Sequence, residues 1–134
     1  MIYFDTDVLV NFHLPQDAVK YQMANQLYRD ASTEGKFFVS LLCLQETSFV
    51  LHKLGESPQD IEALLATLIP HQPAAFEIYH FERAIALART IGFQNINDCL
   101  HTAIAEEYCE ELYTFNKADF KRIKKHTGLK ITIL

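Results

Sequence analysis

Short apolar runs rich in β-forming residues alternate along the chain with longer stretches whose apolar residues recur every three or four positions. Ile2 to Phe4, Phe37 to Val39, Phe76 to Tyr79, Leu112 to Phe115 and Lys130 to Leu134 read as five strands. The first helix is expected from near Pro15 to Glu34-Gly35, carrying Val19, Met23, Leu27 and Ala31 on one side. Ser40 caps a second helix over Leu41 to about Leu54, stopped at Gly55. A third opens at Ser57-Pro58 and buries Ile61, Leu64, Leu65 and Leu68, after which Pro70 and Pro73 bracket a loop. Further helices are expected over Glu82 to Ile91, ended by Gly92, over about Asn97 to Cys109, and over Ala118 to Lys125. In the second of these, Leu100, Ala103, Ile104 and Tyr108 form one apolar stripe. Strands alternating with helices predict an α/β fold of three layers, α/β/α, around a five-stranded parallel sheet with right-handed crossovers.

Composition adds scale to that pattern. With 134 residues, 49% of them hydrophobic, the chain can bury its own core, and the absence of repeats, linkers or low-complexity segments predicts a single domain over residues 1–134. The start, MIYFDTD, has neither a basic stretch nor a long apolar core, and no run approaches the roughly 18 apolar residues of a membrane span. A cytoplasmic protein with no membrane partner is expected. The three cysteines, Cys43, Cys99 and Cys109, sit in apolar helical patterns without CxxC spacing, as expected of buried thiols in a reducing compartment.

Net charge is −5, from 12 basic and 17 acidic side chains, which by itself disfavours a polyanionic partner. Its distribution changes the picture. Half of the basic residues fall in KADFKRIKKHTGLK, between Lys117 and Lys130, so Lys117, Lys121, Arg122, Lys124 and Lys125 form either a solvated helix face or a nucleic-acid contact.

The stretch FDTDVLV places Asp5 and Asp7 directly after the first strand and before a renewed apolar run. In an open parallel sheet ligands bind beyond the carboxyl ends of the strands, so acids there are candidate site residues. Asp5, Glu46, Asp98 and Asp119 fit that position. Each also has a plainer explanation: a solvated turn for Asp5, a helix-start acid for Asp98, and a helix-start acid paired with nearby lysines for Asp119. Glu46 is the most informative, because Leu42 and Val50 share its side of an apolar helix and an unpaired buried carboxylate is too costly to keep ionised. No strong cation lies near it in sequence, so a distant residue or a metal must complete its surroundings.

If these acids converge, two like charges about 4 Å apart repel by roughly 4 kcal/mol at an effective dielectric of about 20. A divalent cation would relieve that repulsion. Oxygen donors point to Mg2+ or Mn2+ rather than zinc, and such ions promote hydrolysis of phosphodiesters. The six histidines show no repeated ligand spacing and are expected at surface or satisfied core positions; His101, one turn after Asp98, is the exception to watch.

In order and spacing, YFDTDVLVNF, SLLCLQETSFVL, NINDCLHTAIAEEY and LYTFNKADFKRI together resemble the PIN-domain nucleases, specifically the small VapC-type toxins of toxin–antitoxin pairs. That resemblance covers nearly the whole chain. It implies Asp5, Glu46 and Asp98 as an acidic metal-binding triad and Asp119 as a fourth, less constant acid. It further implies Thr6 hydrogen-bonding near the first acid, Thr114 beside the site, and Asn116 as a possible orienter of water. The implied activity is Mg2+- or Mn2+-dependent cleavage of RNA, restrained by an antitoxin, in a homodimer. Asp7 departs from the family's usual Asn or Ser, and either widens the metal site or weakens binding of a polyanion.

Two alternatives stand beside this expectation. The DxD of FDTDV also resembles haloacid-dehalogenase-type phosphatases, although those continue with Gly-Thr on a longer chain. A PIN-like module that binds without catalysing is the other, and the presence of all four acids speaks against it.

Overall fold

The computed structural model describes residues 1–134 throughout. Strands β1 (Ile2–Phe4), β2 (Phe37–Phe38), β3 (Glu111–Thr114) and β4 (Lys130–Ile133) form one sheet in the order β2-β1-β3-β4. All pairings are parallel, with Tyr3 opposite Phe38 on one side and Leu112 on the other. Parallel neighbours require crossovers. These are supplied by α1 (Thr6–His13), α2 (Ala18–Thr33), α3 (Leu41–Lys53), α4 (Pro58–Leu68), α5 (Ile78–Ile91), α6 (Ile96–Tyr108) and α7 (Lys117–Ile123).

From β1 the chain crosses to β2 on one side, and it later returns to β3 on the other. Strand order therefore reverses between β1 and β3, and a crevice is expected beyond their carboxyl ends. Burial follows the same plan: Tyr3, Phe4 and Leu112 of the central strands are fully enclosed in a cluster of 27 buried apolar residues. Helix α6 is the most deeply set, with every residue from Cys99 to Ala105 buried. Cys43 and Cys99 are buried thiols as expected, whereas Cys109, just past α6, is half-buried.

The sheet has four strands rather than five. Phe76 to Tyr79, expected as a strand, is a loop running into α5, and only Ala74 touches the sheet, through a single parallel bridge to Ser40 at the β2 edge. Pro73 has no N–H to donate to a longer ladder. Immediately after it the chain turns helical, because the Glu77 N–H is taken by His80 Nδ1 at 2.8 Å, closing the first turn. Ile78 and Tyr79 consequently point outward, 80% and 52% exposed.

Two helix starts also differ from the sequence pattern. Thr6–His13 is helical from its first residue, capped by Asp5, whose Oδ1 accepts from Thr6 N at 2.8 Å. Its dense run Val8-Leu9-Val10 masks a helical period over so short a span. Helix α2 opens at Ala18 rather than Pro15, because Asp17 accepts from the N–H groups of Val19 and Lys20. The caps at Ser40 and Ser57 stand where the sequence places them, accepting from Cys43 N and Asp60 N at 3.1 Å each. Gly92 ends α5 at φ +114°, and a Cβ there would come within 2.3 Å of the Gln94 side chain.

Candidate metal centre

The crevice at the strand reversal is a cavity of about 220 Å3 lined by Asp5, Thr6, Asp7, Val10, Asn11, Glu46, Val50, Asp98 and Asn116. Each acid arrives on a different element. Asp5 ends β1 and is locked to β3 by its backbone N–H, which donates to Tyr113 O at 3.1 Å. Its carboxylate accepts from Thr6 N and from Thr114 Oγ1, both at 2.8 Å, and the residue is 4% exposed. Asp7, in the first turn of α1, accepts from Phe115 N at 3.1 and 3.0 Å and from Thr114 Oγ1 at 3.3 Å. The end of β3 thus holds both aspartates.

Glu46 projects from α3, and the distant partner that its surroundings require is His101 of α6. His101 Nε2 donates to Glu46 Oε2 at 2.6 Å, and Thr6 Oγ1 donates to the same oxygen at 2.7 Å. Asp98, in the first turn of α6, is held loosely by Asn95 Nδ2 at 3.4 Å. Asn116 lines the cavity while capping α7: its Oδ1 accepts from Asp119 N at 3.2 Å and its Nδ2 donates to Asp119 Oδ2 at 3.0 Å. Asp119 itself lies behind Asn116, outside the cavity lining.

Crowding shows in the ionisation of these acids. Burial, then the nearby Asp5 charge, pushes Asp7 up to about 7. Burial likewise pushes Asp98 up to about 6, against the opposing effect of His101. Asp5 is raised by burial, despite the pull of His101 and Thr114. Glu46 goes the other way: burial disfavours its charge, but His101 and Thr6 outweigh that and hold it below the ordinary carboxylate range. For His101 burial opposes the imidazolium, yet Tyr3, Cys43 and Glu46 around it keep the pKa well above the usual histidine value.

Four carboxylates therefore share this cavity, with one buried imidazole beside Glu46 and Asp5. Hard oxygen donors with a deficit of positive charge fit a hard divalent cation, which would favour the ionised form of each raised acid. The carboxylates are turned to protein donors, and no group of three or more His, Cys, Asp or Glu side chains is preset around one point.

The basic residues lie elsewhere. Lys117, Lys121, Lys124 and Lys125 are exposed on or just after α7, and none lines the cavity. Arg122 is spent on the fold, its Nη2 donating to Ile91 O at the end of α5. Asn11 in the lining carries no signal in the sequence pattern, nor does Lys20, whose ammonium sits 5.1 Å from the Phe115 ring centroid beside Asp7. The pairing of His101 with Glu46 is equally unmarked in the sequence. The available signal for His101 was its position three residues after Asp98, which puts both on one face of α6.

No curated protein matches this chain. Among solved structures, a chain of the crystal structure of VapBC2 from Rickettsia felis bound to a DNA fragment from their promoter is similar in fold. The TM-score is 0.69 at 20% sequence identity, over 100% of this chain and 99% of that one. The family model of the PIN domain matches residues 2–126. With a match over nearly its whole length, on a parallel α/β fold, the chain belongs to the PIN domain family.

Proposed function

We propose that this chain is a Mg2+- or Mn2+-dependent endoribonuclease and acts as the toxin, of VapC type, of a toxin–antitoxin pair. The observation that carries the proposal is the convergence of Asp5, Asp7, Glu46 and Asp98 on one cavity at the strand reversal. Membership of the PIN domain family supports a nuclease, and the likeness to the Rickettsia felis VapBC2 chain supports pairing with an antitoxin.

In this proposal Asp5, Glu46 and Asp98 hold one or two divalent ions, with Asp7 beside them and Asp119 acting from behind Asn116. When bound, such an ion supplies an activated water and offsets charge on the phosphate under attack. The protein's own groups fix the carboxylates: Thr114 and the Phe115 N–H hold Asp5 and Asp7, while Thr6 and His101 hold Glu46. Exposed Lys117, Lys121, Lys124 and Lys125 extend from this end of the fold and contact the RNA backbone. Exposed Leu41, Phe49, Ile78 and Phe81 offer apolar surface to the antitoxin or to a second copy in a homodimer. No helix is long and apolar enough to cross a membrane; the proposed action is that of a single domain in the cytoplasm.

Incubation with RNA tests this directly. Cleavage in Mg2+ or Mn2+, stopped by a chelator and absent from Asp98→Asn, is expected; cleavage unaffected by the chelator would overturn the metal-dependent mechanism. A second possibility, an inert PIN-like binding module, draws on the pairing of Glu46 with His101 and the lack of a preset coordination shell. Absence of both cleavage and Mn2+ uptake would favour it. The phosphatase alternative loses its basis, since the family match includes Asp5 and Asp7.

A further inference from the structure

Beneath the carboxylates runs a buried polar chain. Tyr3 is fully enclosed on the central strand, so its hydroxyl must find partners inside the protein. It lies 2.6 Å from Ser40 Oγ and 2.7 Å from His101 Nδ1, and Cys43 Sγ approaches it at 3.2 Å. Ser40 is itself fixed as the cap of α3. On the far side of the ring, Nε2 meets Glu46 Oε2 at 2.6 Å and stands 3.9 Å from Asp5 Oδ1. A carboxylate only accepts, so the Nε2 proton belongs on the Glu46 side, and the Tyr3 hydroxyl serves Nδ1.

We propose that His101 is a positioning residue for the carboxylate site and Tyr3 its anchor. The chain Ser40–Tyr3–His101 holds the ring so that Nε2–H grips Glu46 by one oxygen. Thr6 grips the same oxygen from α1, and Oε1 takes neither bond. Glu46 is a flexible, half-buried side chain with Asn97 also within reach of its carboxylate, and two donors on Oε2 pre-orient it with Oε1 turned from both and able to meet a cation. The inference rests on the proposal that the cavity takes a divalent ion, and it assigns the depth of that ion's binding to a tyrosine that never meets it.

Calorimetric titration with Mn2+ alone tests it on the full chain. Tyr3→Phe removes one oxygen and should weaken Mn2+ binding about tenfold. His101→Gln, which keeps a donor, should retain more affinity than His101→Ala. In a Glu46→Gln background, Tyr3→Phe should cause no further loss, because the anchor acts through that carboxylate. Wild-type affinity in both Tyr3→Phe and His101→Ala, or an equal loss with and without Glu46, would overturn the positioning role while leaving the nuclease proposal standing. Absence of Mn2+ binding by the wild type would overturn both. Near-UV circular dichroism checks that each variant is folded at the temperature used.

Discussion

Thr114 and Asp5, 109 residues apart in sequence, meet at the carboxyl ends of adjacent strands, where the Thr114 hydroxyl donates to Asp5 Oδ2 at 2.8 Å. Both are buried, so the bond is made away from water. Thr114→Val preserves the shape but leaves a buried carboxylate oxygen without its donor, a change that costs about 1–3 kcal/mol. Urea denaturation should show that loss, and cleavage should fall with it.

Asp5→Asn separates function from stability. Burial and the nearby Asp98 charge already resist ionisation of Asp5, so removing its charge relieves the cluster. RNA cleavage should disappear, while the melting temperature of the metal-free protein should stay equal or rise. A clear drop in melting temperature with cleavage retained would remove Asp5 from the site.

The pH dependence of the metal-free protein has a definite sign. Asp7 and Asp98 have folded pKa values of about 7 and about 6 against an ordinary 3.8. Between about pH 4 and pH 7 the folded chain therefore holds more protons than the unfolded one, and stability falls as pH rises. His101 adds in the same direction: its folded pKa is raised, so its contribution is complete below the ordinary histidine range and is lost as pH climbs through the raised value. Glu46, held low, contributes stability above the ordinary carboxylate range and loses it on acidification. Thermal melts should thus be highest just above the ordinary carboxylate range and decline from about pH 5 toward pH 8. Asp7→Asn should flatten the decline, and Mg2+ should reverse it.

For the basic segment, Lys121, Lys124 and Lys125 changed together to Gln should weaken RNA binding and reduce its salt dependence by up to about three phosphate contacts. Arg122 is a different case. Its contact with Ile91 O implies that Arg122→Gln lowers the melting temperature whether or not RNA is present. An unchanged salt slope in the triple lysine variant would make that run a solvated helix face.

Much of the fold was legible in the chain because its punctuation is local. Ser40, Ser57-Pro58 and Gly92 act within one turn, and four strands stand within a residue or so of where the β-forming runs place them. Phe76 to Tyr79 misled because its composition suits a strand, while the bond from Glu77 N to His80 Nδ1 and the missing donor at Pro73 decide otherwise. The candidate acids could be picked out through their places at strand ends and helix starts. What held them could not: His101 reaches Glu46 across 55 residues and Tyr3 reaches His101 across 98, and neither pairing leaves a short-range pattern.

A Mn2+-soaked crystal, examined at the manganese absorption edge, would test the central claim most directly. An anomalous peak inside the cavity, with oxygens of Asp5, Glu46 and Asp98 drawn toward it, is the expected result. Density without such a peak at millimolar Mn2+, the carboxylates still turned to Thr6, Thr114 and His101, would contradict it.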